Sequence, residues 1–348
     1  MMKSLSDDAI HRQGGDLRGL AGDAYLDLGT CVNRYGPPSA VRVALRELDV
    51  QRLRAHPYEA DSLFRATYAN YLSVDPELLV SGRGITEFIR LLARLLPPAE
   101  VAVVTPDYTD SIRWFPNHLP PRDGAIDTVE TRLARIAEGM ARYGYVVVSN
   151  PNNPLGLHIP AAELAEVCRA NPTSTLIVDE AYVDFLGGGR RQSMAWAGLS
   201  NVVVLSSPNK LFGIAGARTG ALWTPDERLR TAVAAQRLNW PLSYVDSVVA
   251  IAALRETGWA ERTLTRLLAN AEAMEGLLAR RYRGVVKGAP VHYRFVASAD
   301  PQRDHDELVR AGVVVRVFGD DQAGRVPGLR ITAPTDDEFP RLAAALAG

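Results

Sequence analysis

Ser206-Ser207-Pro208-Asn209-Lys210-Leu211-Phe212-Gly213 is the stretch on which the reading of this chain turns. It grows out of Val202-Val203-Val204-Leu205, an apolar run suited to a strand buried on both faces of a parallel sheet. A lysine held between that strand and the apolar pair Leu211-Phe212 is placed to lose part of its solvent. Desolvation lowers the pKa of an amine and makes it nucleophilic. On its own such a lysine is far more often a solvated surface residue, so its neighbours have to decide. After it come a glycine-punctuated turn and Arg218.

Outward from this stretch, short β-branched runs alternate with longer helical patterns, the signature of βαβ units and a mostly parallel sheet. Strands are predicted at Val101–Thr105, Tyr145–Ser149, Thr175–Val178, Val202–Ser206 and Thr219–Trp223. Helices are predicted at Thr86–Leu96 and Ala161–Ala170, where apolar residues keep helical spacing. The fold class is therefore α/β, a mostly parallel sheet with helices on both faces. From about Asn239 the pattern changes to one long helical stretch, Ser243 through Arg281, then strands around Val291–Val296 and Val313–Val317 and a terminal helix, which reads as a smaller C-terminal α+β domain. The expected division is residues 1–40 as an N-terminal arm or small-domain segment, 41–240 as the large domain and 241–348 as the small one. The less periodic stretch to Asp75, with Gly36-Pro37-Pro38 and His56-Pro57, either completes the small domain or wraps a partner.

Composition closes off several function classes. The 348 residues are 47% hydrophobic and 23% charged, which is ordinary globular usage. With a formal charge of −1 and scattered Lys and Arg, the footprint of a nucleic-acid binder is missing. The first twenty residues contain Asp7-Asp8 and no secretory apolar core, and no run reaches the roughly 18 apolar residues of a membrane span. Cys31 and Cys168 stand far apart without metal-ligand spacing, so neither a disulfide framework nor a metal site is expected, and a reducing cytoplasm fits best.

In a doubly wound sheet, ligands gather beyond the carboxyl ends of the strands. Five such ends carry chemistry. Ser81-Gly82-Arg83-Gly84-Ile85-Thr86-Glu87 is a glycine-rich turn opening into a helix, where free N–H groups and the dipole suit a phosphate. Thr105-Pro106-Asp107-Tyr108 sets an aromatic past the sheet edge. Ser149-Asn150-Pro151-Asn152-Asn153-Pro154-Leu155-Gly156 is denser in amides than a simple connection requires. Val178-Asp179-Glu180-Ala181-Tyr182 closes an apolar strand with an acid that calls for a positive partner. Lys210 is the fifth. Taken singly, each has a bland explanation as turn, rim or loop. Together they supply what pyridoxal 5′-phosphate needs: a phosphate grip, a stacking face, hydrogen bonds at the 3′-oxygen, an acid at the pyridinium nitrogen and a lysine for the aldehyde.

With these residues in view, the chain resembles the class I and II aminotransferases of fold type I, and within them the histidinol-phosphate aminotransferase and threonine-phosphate decarboxylase branch. The resemblance runs from Leu26-Asp27-Leu28 and Asn33-Arg34-Tyr35-Gly36-Pro37-Pro38 to Gly328-Leu329-Arg330-Ile331-Thr332. It implies that Lys210 holds the cofactor as a Schiff base and shuttles a proton, that Asp179 keeps the ring nitrogen protonated, and that Asn153 and Tyr182 bond the 3′-oxygen. It further implies that Tyr108 stacks on the ring and that Ser207, Arg218 and the turn Gly84, Ile85 and Thr86 grip the phosphate beside Asn209. Arg330 is implied to pair with the substrate α-carboxylate, with Asn33, Tyr35 and Gly36 on the substrate side. The implied partners are a small-molecule amino donor, a 2-oxo acid and a second copy of the chain, with active sites shared in a homodimer.

Four positions depart from the pattern. Leu155 stands where Thr is usual, Asn209 where Ser or Thr precedes the lysine, and Arg83 where a small or amide residue is usual. Ala55-His56-Pro57-Tyr58 replaces Arg-Tyr-Pro-Asp, whose tyrosine reaches the neighbouring subunit's phosphate, and either His56 or Tyr58 or neither takes that role. The expected activity is transamination of an amino acid or amino-acid-like amine. A decarboxylase, cyclase or oxidase of the same fold is the alternative, because the outcome depends on which Cα bond stands perpendicular to the ring. A non-catalytic sensor domain of a transcription regulator fits poorly with the non-basic charge and the short leading segment.

Overall fold

The computed structural model describes residues 25–319 and 325–347. The expectations about a leader in the first twenty residues therefore fall outside the described chain. Leu26–Asp27 (β1) pairs in parallel with Val313–Val314, so the first described residues join the C-terminal part of the chain. Helices Ser39–Arg46 (α1) and Ala60–Leu72 (α2) follow, the latter burying Phe64 and Tyr68.

The chain then builds its large sheet. Leu79–Gly82 (β2) leads into Ile85–Leu95 (α3), and Val101–Val104 (β3) into Thr109–Trp114 (α4) and Asn117–Leu119 (β4). Val129–Met140 (α5) precedes Tyr145–Ser149 (β5), and Ala161–Ala170 (α6) precedes Thr175–Asp179 (β6). Val202–Ser206 (β7) and Gly220–Trp223 (β8) complete it, and Glu227–Gln236 (α7) closes the unit. The strand order is β2-β8-β7-β6-β5-β3-β4, parallel except for β8, which runs antiparallel to both neighbours. Successive side chains of a strand point to opposite faces. Val146, Val148, Leu176 and Val178 accordingly enter one apolar core, and Val147, Ile177, Val203 and Leu205 another on the far side. Both faces being covered explains why these strands read as continuous apolar runs.

The C-terminal unit departs from the sequence reading in two places. The single helix expected over Ser243–Arg281 is two, Tyr244–Leu254 (α8) and Thr257–Arg281 (α9). The break serves two packing directions: α8 lies on α1 and α2, whereas α9 packs on Gly284–Val285 (β9), Tyr293–Ala297 (β10) and the terminal helix. After Pro301–Arg310 (α10), the strand expected over Val313–Val317 also divides. Val313–Val314 (β11) pairs with β1, while Arg316–Phe318 (β12) joins Gly328–Thr332 (β13) in the antiparallel sheet β12-β13-β10-β9, and Phe339–Ala347 (α11) ends the chain.

Several elements were not named from the sequence, β4 and α5 among them. Strand β4 is three residues, Asn-His-Leu, too short and polar for an apolar run. Helix α5 carries buried arginines, Arg132 and Arg135, on the face where apolar residues are sought. No helix among the described residues is long and apolar enough to cross a membrane.

Candidate active site

Register brings the chemistry to one edge. Ser149 at the end of β5 lies beside Asp179 at the end of β6, which lies beside Leu205 near the end of β7. The loops leaving these strands, with the turn before α3, surround a cleft of about 650 Å³, part of it open solvent. All the sequence-predicted cofactor residues, Gly84 through Arg218, line it. Ser149, Ala181 and Ala215 line it as well and were assigned no role by the sequence. Ala181 and Ala215 are small side chains that leave room, which carries no motif signal.

Asp179 is buried, and its Oδ1 accepts the Ala181 N–H at 2.9 Å. Burial pushes its carboxyl up to about 7; the nearby Asp107 adds to the rise, while the Ala181 bond and Lys210 oppose it. Lys210 keeps some solvent contact through the cleft mouth, yet it sits deep enough that burial lowers its pKa. Arg330 and Arg218 lower it further, against Cys31 and Asp179. The amine is thus shifted toward its neutral, nucleophilic form. Tyr182 stands over the same end, its ring 5.0 Å from that of Tyr293, and burial raises its hydroxyl well above the ordinary value.

At the opposite end, α3 begins with Gly84 at φ +83°, and no side chain caps its first turn. The N–H groups of Ile85 and Thr86 are left for a ligand, and the helix dipole favours an anion there. A Cβ on Gly84 would stand 2.9 Å from Nη2 of Arg218, so only glycine lets the guanidinium close over the turn. Tyr108 reaches in from β3, its hydroxyl 3.4 Å from Thr86 Oγ1.

Asn209 lines the cleft but spends its amide within the protein. Nδ2 donates to Ala217 O at 2.6 Å, and Oδ1 accepts from Thr219 Oγ1 at 2.8 Å, clamping the turn after Lys210. Ser207 Oγ likewise donates to Thr219 O at 2.8 Å. Arg330, on β13, donates from Nη1 to Asn153 Oδ1 at 2.6 Å and from Nη2 to Gly29 O at 3.1 Å; its buried Nε has no partner among the described residues.

The structure does not bring Arg330, Asn33, Tyr35 or Gly36 into the cleft lining; Arg330 meets it only through Asn153. Asn33 Nδ2 donates to Thr263 Oγ1 at 2.9 Å, and Tyr35 Oη donates to Asp336 Oδ1 at 2.8 Å. Gly36 lies against the lysine loop, where a Cβ would meet Phe212 O at 2.6 Å. The Asn33 N–H donates to Lys210 O at 2.8 Å, so this segment supports the lysine from behind. His56 stacks on Trp240 at 3.7 Å, and Tyr58 is 74% exposed. Neither lines the cleft. Arg83 donates from Nε to Pro241 O at 2.9 Å, and Leu155 is fully buried.

Behind Asp179 the same loop carries two more acids, Glu180 buried and Asp184 half-buried. Glu180 is pushed up to about 8 and Asp184 to about 6, chiefly by burial. These carboxyls, with Asp179 at about 7, bind a proton more tightly folded than unfolded. Their stabilising effect is complete below the ordinary carboxyl range and is lost as pH rises through the raised values. His292, lowered well below 6.5 by burial, acts in the opposite sense, and its effect is complete once pH passes the ordinary histidine value near 6.5. The melting temperature of the protein without ligand is therefore expected to fall between about pH 6 and about pH 8 when followed by scanning fluorimetry. A rising profile across that window would mean that these carboxyls ionise in the folded chain.

The aminotransferase class I and II family matches residues 23–346 of this chain. Histidinol-phosphate aminotransferase 1 of Burkholderia pseudomallei is 29% identical over 336 residues, covering 92% of this chain and 91% of that protein. Among solved structures, the histidinol-phosphate aminotransferase from Clostridium acetobutylicum superposes with a TM-score of 0.79 at 18% identity, over 92% of this chain and 97% of that one. The Sinorhizobium meliloti histidinol-phosphate aminotransferase, crystallised in complex with pyridoxal-5′-phosphate, gives 0.76 at 22% identity, over 91% and 89%. The likeness extends to the whole fold.

Proposed function

Because the chain belongs to the class I and II aminotransferases, a family that works with pyridoxal 5′-phosphate, we propose that its cleft holds that cofactor between Lys210 and the Gly84–Thr86 turn. One observation carries the assignment: Lys210, Asp179, Tyr182, Asn153 and the uncapped start of α3 line a single cleft. The donor set fits the group. The cradle that a Cβ at Gly84 would fill suits a phosphate under Arg218, and the buried acid suits a ring nitrogen.

When bound, the cofactor supplies an aldehyde that condenses with amines and a ring that withdraws electrons from the carbon attached there. The residues do the rest. Asp179, ionised once a cationic N–H stands against it, holds the proton on the ring nitrogen. Tyr108 lies against the ring, and Asn153 and Tyr182 hydrogen-bond the 3′-oxygen. The Ile85 and Thr86 N–H groups with Arg218 bind phosphate, while Ser207 and Asn209 act through the loop they close. Lys210 anchors the aldehyde carbon, then carries a proton between Cα of the substrate and C4′ of the cofactor as general base and acid. Arg330 receives the α-carboxylate, a task suited to the guanidinium fork.

The amino donor is an anionic amine. Arg316 stands directly across the β12–β13 ladder from Arg330, and burial, together with Arg330 and Arg325, lowers it to about 9. Arg316 and Arg325 both donate to Thr109 Oγ1, at 3.4 and 3.0 Å. Such a concentration of cations favours an acidic group on the substrate, either the carboxylate of an amino acid or, in its place, the phosphate of the amine named for the Burkholderia relative.

The deciding experiment is a half-reaction. The absorbance of the loaded enzyme is expected to shift on adding an anionic amine such as histidinol phosphate and to return on adding a 2-oxo acid. A shift that no 2-oxo acid reverses, with carbon dioxide released, would replace transamination by decarboxylation.

Two copies are proposed to pair, with the exposed apolar residues Val50, Leu53, Leu63 and Leu238, 49% to 67% exposed, as the side chains such pairing would cover. Light scattering is expected to give twice the chain mass, and a monomer holding its full complement of cofactor would remove any cross-subunit role for His56 or Tyr58. Small soluble substrates fit a cytoplasmic setting.

A further inference from the structure

Behind the cleft, out of reach of any ligand in it, lies an ion pair with almost no solvent contact. Arg132 of α5 is 1% exposed and Asp107, after β3, is 2% exposed. Arg132 Nη2 donates to Asp107 Oδ2 at 2.9 Å and to Val104 O at 3.1 Å, while Nη1 donates to Pro106 O at 3.1 Å. Burying such a pair is costly, and apolar residues of similar volume commonly stabilise a core as well or better. The geometry around Asp107 gives the pair a different task.

Asp107 accepts four hydrogen bonds. Oδ1 takes the Tyr108 N–H at 2.7 Å, and Oδ2 takes the Ser149 N–H at 2.7 Å, the Ser149 hydroxyl at 2.9 Å and Arg132. Because the hydroxyl proton of Ser149 is committed to Asp107, both of its lone pairs turn the other way. They accept the Asn153 N–H at 3.0 Å and Asn152 Nδ2 at 3.2 Å. Asn153 in turn receives Arg330 through its Oδ1. An unbroken series of hydrogen bonds thus runs from a helix behind the sheet to the two sides of the cleft.

We infer that Asp107 and Arg132 are positioning residues: through the Tyr108 backbone they set the stacking wall, and through Ser149 and Asn153 they set Arg330. This inference rests on the roles proposed above for Tyr108, Asn153 and Arg330. An uncharged residue at 107 cannot accept all four donors. An asparagine there has to turn its own N–H groups either toward the Tyr108 N–H or toward Ser149 and Arg132, all of which are themselves donors. In the first orientation the Tyr108 backbone loses its anchor; in the second the hydroxyl of Ser149 is released, and Asn153 and Arg330 lose their fixed poses.

The test is a double-variant cycle in the loaded enzyme with Asp107→Asn, Ser149→Ala and the two combined. The readouts are the dissociation constant for pyridoxal phosphate by fluorescence quenching, and KM and kcat for the amino donor. Ser149→Ala is expected to raise KM about tenfold or more with a smaller change in kcat, since the bonds it disturbs lead to a charged group. Ser149→Thr, which keeps the hydroxyl, is expected to restore most of that loss. Asp107→Asn is expected to weaken cofactor binding about tenfold, and the double variant to be little worse than Asp107→Asn alone, because the residues act in series.

Independent, multiplying effects would overturn the inference, as would Ser149→Ala with KM and cofactor affinity within about twofold of the parent, below the effect of one such bond. If Asp107→Asn does not fold, the comparison of Ser149→Ala with Ser149→Thr decides alone. Cofactor affinity is read without turnover. Coupling there, in a protein that fails the half-reaction, would keep the relay and discard the reaction; turnover without coupling would do the reverse.

Discussion

Lys210→Ala is expected to yield a protein that folds and still takes up pyridoxal phosphate, yet transaminates at least about 10⁴-fold more slowly, the upper range for loss of a positioned acid–base group. The lysine holds two tasks that no neighbour can take over. Tyr182 and Tyr108, which line the same cleft, have hydroxyls raised above their ordinary values by burial, so neither is a base at neutral pH. Arg330 remains cationic, its pKa raised by its tyrosine and Cys31 neighbours despite burial. His292 is buried and stacked 3.7 Å from Phe185. Stopped-flow absorbance of the half-reaction measures the loss. A small primary amine added to the solution is expected to recover part of it by standing in for the missing base. A variant within tenfold of the parent would remove Lys210 from the chemistry.

Asp179→Asn comes next, with kcat expected to fall by about 10²- to 10⁴-fold and the dissociation constant of the cofactor to move far less. The carboxyl sits where burial, with Asp107 adding to it, brings it up to about 7. A protonated ring nitrogen beside it stabilises the ionised form and is stabilised in return, since each charge favours the other. Asparagine keeps the shape and the hydrogen-bonding reach but removes the charge, so the ring is left free to lose its proton and with it most of its electron-withdrawing power. Binding is spread over the phosphate turn, Tyr108 and Asn153 and survives. Equal losses in affinity and turnover would instead mark Asp179 as an anchor, and an unchanged kcat would sever it from the ring nitrogen.

How much of this was legible follows from where the apolar signal is strong. Strands β3, β5, β6 and β7 read out within a residue at each end because both faces of the sheet are covered, and the residues at their carboxyl ends followed. Helix α5 escaped because its inward face carries Arg132 and Arg135, whose burial is made tolerable by Asp127 just ahead of the helix and by Asp107 from the end of β3. Only tertiary structure shows that these acids turn inward to meet them. Asn209 could be placed at the cleft from the sequence, but not the way its amide turns, which depends on Ala217 and Thr219 folding back over it. The division of Ser243–Arg281 into two helices was hidden because Arg255 and Glu256 are compatible with helix, and the break is imposed by what each half packs against. Asn33, Tyr35 and Gly36 were readable as important but not as support for the lysine loop.

The segment between Gly29 and Asn33 joins two groups that the sheets alone would leave unrelated. Its first carbonyl receives Arg330, and its last N–H reaches the carbonyl of Lys210. A five-residue span of local chain thus ties Lys210 to the arginine proposed to grip the substrate's acidic group. In that proposal the span serves the part of the substrate that carries its amine and its acidic group. Replacements in the walls facing the rest of the substrate can accumulate without disturbing it, so a lineage built on this scaffold is free to change what it aminates while keeping how.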